Sequence, residues 1–189
     1  MNFLAHLFLS GDDEEVKIGN FIGDFVKGDQ SALFPEKVWQ GVLLHRRIDT
    51  FTDTHSIVRK SKVRLRPKYR HYSPVIVDMY YDHFLAANWM KYSGQDLKAY
   101  TTEFYDIAWK NEEVLPDKAI HLLTHMSATD WLYHYQKFEG LHQALSGMSR
   151  RTKFNSGMEN AIEDLKDHYH LYENEFHSFF PDLIAHCQK

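Results

Sequence analysis

The sequence predicts an all-α protein built as a multi-helix bundle. Glycine and proline are scarce, nine and five in 189 residues, so few positions interrupt a helix. Strict apolar–polar alternation is rare and short. Segments of roughly 10 to 20 residues instead repeat their apolar positions with a helical period.

Each predicted helix has a local reason. An apolar first helix covers about 2–9. The second runs over 16–26 and is ended by Gly28. Pro35 opens a third helix, which reaches 54. A basic helix follows over 56–66, stopped by Pro67. Ser73-Pro74 starts the next, which extends to 92. Further periodic stretches cover 96–111, 117–136, 138–147 and 154–187, the last broken near Pro181 or around 169–175. Trp131, Leu132, Tyr135, Phe138, Leu141 and Leu145 fall at helical spacing and are expected in the core, as are Phe176, Phe179 and Phe180.

A chain of this length suits one domain over 1–189, and buries roughly 70% of the surface its unfolded form exposes. The single cysteine, Cys187, makes no intrachain bridge, which points to a reducing compartment. The apolar start lacks a basic leader region and is far shorter than the ~20 residues of a membrane span. A cytoplasmic location is therefore expected. The net charge of −4 gives no bulk attraction to nucleic acid. Two local counts stand out: 13 histidines, and seven of the 22 Lys and Arg within residues 59–70, uninterrupted by an acid.

Three of the predicted helices present polar residues four apart on apolar backgrounds. These are Asn20 and Asp24 on the second, His45 and Asp49 (then Asp53) on the third, and Asp78 and Asp82 (then His83) on the fifth. His6 sits in the same manner in the first. Residues at i and i+4 share a helix face, so each pair points one way. Carboxylates among Ile, Val and Phe are costly to bury without compensation. Arginine, water or a metal cation can compensate them. Neutral imidazoles with carboxylates are the donors that Mn²⁺, Fe²⁺ and Zn²⁺ sites use, and bundles build such sites from inward-facing side chains. There is no CxxC or HExxH. The bland alternative is caps and internal ion pairs: Asp53 as a cap of the basic helix, Asp78 as a partner behind the site, His83 as a core histidine. A cation in such a setting lowers the pKa of bound water and neutralises charge on a phosphoryl oxygen. Arg46 and Arg47 flank the His45/Asp49 pair and have the chemistry to hold a phosphate.

At these residues the chain resembles the acyl carrier protein phosphodiesterases. The likeness is carried by Asn2-Phe3-Leu4-Ala5-His6, by residues 19–28 around Asn20 and Asp24, by Gly41-Val42-Leu43-Leu44-His45-Arg46-Arg47-Ile48-Asp49 with Thr52-Asp53, and by Tyr81-Asp82-His83-Phe84-Leu85. It continues weakly to Trp131, Tyr135 and residues 147–151. The resemblance implies a divalent-metal enzyme, usually with manganese, that cleaves the phosphodiester joining 4'-phosphopantetheine to a serine of holo-acyl carrier protein. It also implies a distant likeness to HD-type metal phosphohydrolases, although the adjacent pair here is Asp82-His83, in reversed order. On this reading His6, Asp24, His45, Asp49 and Asp82 hold the metal. Arg46 or Arg47 stabilises the phosphoryl oxygens, and Asp53 or His83 passes a proton to the departing oxygen. Acyl carrier proteins are acidic, so Arg59, Lys60, Lys62, Arg64 and Arg66 are expected to dock the partner. The rivals are a metal phosphohydrolase acting on a nucleotide or other small phosphodiester, and a non-catalytic helical module that binds an acidic protein. A carboxylate-bridged iron bundle would need paired Glu-x-x-His motifs, which are missing.

Overall fold

The structure, a computed structural model, describes residues 1–188, and no strand occurs among them. The helices are α1 (Phe3–Leu9), α2 (Glu14–Ile22), α3 (Glu36–Thr54), α4 (Ser56–Tyr69), α5 (Ser73–Ala87), α6 (Leu97–Lys110), α7 (Asp117–Thr129), α8 (Trp131–His134), α9 (Phe138–Arg151), α10 (Ala161–Asp167) and α11 (Tyr169–Cys187). None of the described helices is long and apolar enough to cross a membrane.

Helix α5 runs through the middle of the core. Ile76, Val77, Met79, Tyr80, Tyr81, Phe84 and Leu85 on it are all inaccessible to solvent. It packs against α1, α4, α9 and α11. From α11 come Tyr172, Phe176, Phe179 and Phe180, fully buried as the periodicity predicts for the three phenylalanines. Leu132, Tyr135, Leu141 and Leu145 are buried too, while Trp131 and Phe138 are half-buried.

Helices α2 and α3 approach so closely that only glycine fits between them. A Cβ on Gly19 would lie 1.8 Å from the Val38 carbonyl oxygen, and one on Gly41 2.2 Å from that of Val16. This crossing brings the α2 residue Asn20 beside the α3 residue His45.

Several boundaries differ from the sequence reading, each for a tertiary reason. Helix α2 stops at Ile22 and a 3-10 turn, Gly23–Phe25, carries Asp24. Pro67 does not stop α4, which runs on to Tyr69. Tyr69 is buried, its hydroxyl donates to Asp164, and the Lys68 ammonium lies 2.6 Å from Asp164, so contacts with α10 hold the last turn. Its N-terminus is capped by His55, whose Nδ1 accepts from the Ile57 amide, and not by Asp53. The predicted helix over 117–136 is two: Asp130, in the left-handed region at φ 46°, ends α7 and accepts from the Tyr133 amide to start α8. Helix α9 passes Gly147 and reaches Arg151, with Arg150 and Arg151 in the last turn, where cations complement the carbonyl ends. The C-terminal stretch breaks at His168, while Pro181 lies inside α11.

Candidate metal centre

His6, His45 and Asp49 converge. One ligand atom from each lies within 4.8 Å of the others, a span that a single metal ion can bridge. His6 Nε2 is 3.2 Å from Asp49 Oδ1, and His45 Nε2 is 3.1 Å from Asp49 Oδ2. Asp24 joins from the 3-10 turn, its Oδ1 3.3 Å from His45 Nε2. The two imidazoles are buried, whereas Asp24 is exposed and Asp49 partly so. The group thus sits at the inner end of a cavity.

Asn20 fixes both rings. Its side-chain amide nitrogen donates to the His6 carbonyl at 2.8 Å and to Ser10 Oγ at 2.9 Å, which leaves its Oδ1 as an acceptor. That oxygen takes the His6 Nδ1 proton at 2.8 Å. The Asn20 main-chain carbonyl, which can only accept, takes the His45 Nδ1 proton, also at 2.8 Å. Both Nε2 atoms of the neutral rings are therefore bare lone pairs aimed at carboxylate oxygens. Lone pair facing lone pair at such distances requires positive charge between them, as a proton or as a cation. Burial holds His6 below the ordinary imidazole range. Burial also opposes charging His45, but its hydrogen bonds to Asp24 and Asp49 outweigh this and push it up to about 9. Burial alone would raise Asp49; the hydrogen bonds from His45 and His6 hold it well below the usual carboxylate range. The hydrogen bond from His45 lowers Asp24. Two oriented imidazoles and two carboxylates make a donor set that suits a divalent first-row cation.

Gly23 makes the site possible. A Cβ there would stand 2.2 Å from His45 Cγ, inside the ring's own space.

The group opens into a cavity of about 570 Å³, of ordinary size for a small-molecule site. Asp24, Asp49, Asp53 and Asp78 supply its acids. Lys118, His121, His125 and Arg151 line it as well, with apolar surface from Phe25, Val75, Leu122 and Met148 among others. Asp78 Oδ1 lies 3.1 Å from the Met1 amino group, and Asp53 Oδ1 2.6 Å from Lys62 Nζ.

Other expected site residues lie elsewhere. Asp82 is fully buried beneath α1. Its Oδ2 accepts from the Leu4 amide at 2.8 Å, and its Oδ1 from the Asn2 and Ala5 amides at 3.1 and 3.3 Å. It satisfies the open amides of a helix start and is not a member of the His6, His45, Asp49 group. Burial pushes it up to about 7 against the pull of those amides. His83 is buried in the core, its Nδ1 2.7 Å from the Tyr135 carbonyl and its Nε2 3.2 Å from the Tyr169 hydroxyl, and it does not line the cavity. Arg46 and Arg47 point away from it, because successive positions on a helix are turned by about 100°. Arg46 donates to the Val26 and Gly28 carbonyls at 3.0 and 2.6 Å, and Arg47 to the Cys187 carbonyl at 3.0 Å. In the basic helix, Arg64 forms a two-pronged pair with Glu175, at 2.7 and 3.0 Å, and Lys62 is held by Asp53. Arg59, Lys60 and Arg66 are exposed.

The sequence reading named no role for Lys118, His121, His125 and Arg151, which line the cavity. A signal existed: His121 and His125 stand four apart, the same spacing that drew attention to His45 and Asp49.

The family described as acyl carrier protein phosphodiesterase matches residues 1–183. The chain belongs to this family. An Enterobacter sp. (strain 638) protein named acyl carrier protein phosphodiesterase is 31% identical over 192 residues, covering 100% of this chain and 98% of that one. A Klebsiella pneumoniae (strain 342) protein of the same name is 32% identical over 188 residues, 97% of this chain and 96% of that one. An Escherichia coli (strain K12 / DH10B) relative, also so named, is 32% identical over 196 residues, with 100% and 98% covered. No solved structure matches.

Proposed function

We propose that this chain hydrolyses the phosphodiester joining 4'-phosphopantetheine to its serine in holo-acyl carrier protein, with a divalent cation, manganese by preference, held by His6, His45, Asp49 and Asp24. The observation that carries the reading is the pair of Nε2 atoms, oriented by one asparagine, facing shared carboxylates at the end of a cavity, in a chain of this family. The cation, when bound, supplies an activated water and charge neutralisation at a phosphoryl oxygen. The chain's own residues do the rest. Asn20 keeps the His6 and His45 lone pairs on the site. Asp24, exposed on its turn, stands between the buried ligands and the cavity. Asp53 remains as the carboxylate that handles a proton at the cavity wall, held in place by Lys62.

The partner docks on α4. Arg59, Lys60 and Arg66 project to solvent, and opposite charge on a carrier helix would speed and orient encounter. The reaction is cytoplasmic, and the chain acts as one domain.

The test is incubation of holo-acyl carrier protein with the purified chain and Mn²⁺, followed by intact mass. Loss of a phosphopantetheine mass is expected. An unchanged carrier mass, with small phosphodiesters hydrolysed in parallel, would transfer the site to another substrate.

A further inference from the structure

The cations nearest His45 in sequence are held by main-chain carbonyls, yet the cavity is not short of basic side chains. Lys118, His121 and His125 occupy positions i, i+3 and i+7 of α7 and so share one face. Arg151, the last residue of α9, lines the same cavity. All four are exposed. None of their side chains makes a hydrogen bond or ion pair with another described residue, unlike Lys62, Arg64, Lys68 and Lys98, each of which sits on an acid. The His121 and His125 rings meet edge to face at 4.8 Å, which leaves ring nitrogens available to a ligand.

The cavity is therefore bipolar. Its acids come from α3, α5 and the Gly23–Phe25 turn, where His45 and the Met1 amino group are paired with them; its unpaired bases come from α7 and α9. A rounded space of this volume is about 10 Å across, so one ligand can touch both sides. A wall of unpaired bases facing an acid-lined metal site calls for an anion. The rest of the lining includes the apolar Phe25, Val75, Leu122 and Met148, which suit an uncharged chain extending from an anion that both sides contact.

We infer that Lys118, His121, His125 and Arg151 form an anion subsite that holds the phosphate of a phosphate ester bearing a long uncharged chain. This rests on the phosphodiesterase reading for its substrate, but not for its ligand class. Arg151 offers a planar pair of N–H donors to two phosphoryl oxygens, and Lys118 a point charge. The imidazoles add donors on the same face. The subsite takes the place that Arg46 and Arg47 were expected to fill.

The test uses inorganic phosphate as probe, titrated calorimetrically into the Mn²⁺-loaded chain, with KM and kcat for holo-acyl carrier protein measured in parallel. The Lys118→Gln/Arg151→Gln double variant should lose about tenfold in phosphate affinity and raise KM more than it lowers kcat. Mn²⁺ stoichiometry should be unchanged in it and in His121→Gln/His125→Gln. Unaltered phosphate affinity and KM in the double variant would overturn the subsite, as would loss of Mn²⁺ from the histidine variant, which would make the wall a set of ligands. Both substituted pairs are exposed, and a thermal melt confirms folding. If the wild-type chain binds phosphate through this wall but leaves holo-carrier intact, the subsite stands and the substrate assignment falls.

Discussion

His6 and His45 lie face to face, their ring centroids 4.1 Å apart and their planes 21° from parallel. They come from helices far apart in sequence, and Asn20 holds both through two different oxygens. Stacked rings oriented in this way present their Nε2 atoms side by side to Asp49. The arrangement makes Asn20 the residue on which the geometry of the centre turns.

Asn20→Ala removes the acceptor for His6 Nδ1 and the donor to the His6 carbonyl. Loss of such a partner behind a metal ligand lowers metal affinity by about 10- to 100-fold. The buried groups left unpaired cost about 1–3 kcal/mol of stability. Mn²⁺ titration and urea unfolding measure the two effects separately. Undiminished Mn²⁺ affinity would mean that His6 does not bind the cation.

Replacing Asp24 or His45 with Ala is expected to abolish turnover of holo-carrier in Mn²⁺ while leaving the helical circular-dichroism signal. Mn²⁺ should raise the Tm of the wild-type chain, because a cation that binds only the folded state stabilises it, and should fail to do so for His45→Ala. In the chelated protein the sign of the pH dependence is fixed by His45. Its folded value is raised, so its ion pairs stabilise fully below the ordinary imidazole value and are lost as pH rises through about 9. The Tm of chelated protein should fall over that window. A flat profile would show that His45 carries no proton there.

Gly23→Ala places a methyl group where the His45 ring lies, 2.2 Å from Cγ. The ring must move or the turn must open. Activity should drop steeply, with Mn²⁺ affinity falling alongside it. Retained Mn²⁺ affinity would show that the turn yields without disturbing the ligand.

Asp82→Asn separates a helix-capping carboxylate from a metal ligand. The amides of Asn2, Leu4 and Ala5 at the start of α1 lose an acceptor charge, at a cost of about 1–3 kcal/mol. Mn²⁺ stoichiometry should survive in the folded protein. A stable variant that no longer binds Mn²⁺ would restore Asp82 to the metal site.

On α4, Arg59→Glu and Arg66→Glu should raise KM for the acidic carrier, with the difference from wild type shrinking as salt is added. Arg64→Ala should act differently. It strands the largely buried Glu175, so stability falls and the salt dependence of KM does not change. A salt-dependent KM in Arg64→Ala would put that residue on the docking face.

The helical class is legible in the chain alone, because the apolar period is local and some helices carry a start signal such as Pro35 or Ser73-Pro74. The sequence also singled out His6, Asp24, His45, Asp49 and Asp82 as one group, from polar residues set in apolar segments and from the family likeness on the same residues; the structure brings the first four together and leaves Asp82 beneath α1. Long-range packing accounts for the remaining features. Asp82 and Asp24 look alike in sequence, yet one closes the start of α1 and the other faces the cavity, since which helix end packs beneath a carboxylate is a matter of long-range contact. Arg46 and Arg47 flank the site in the chain and leave it in space, because a helix turns each successive side chain away from the last. Lys118, His121, His125 and Arg151 reach the cavity only because α7 and α9 fold back across it. Their residue types are legible in the sequence; that none of their side chains pairs with an acid among the described residues is decided by packing.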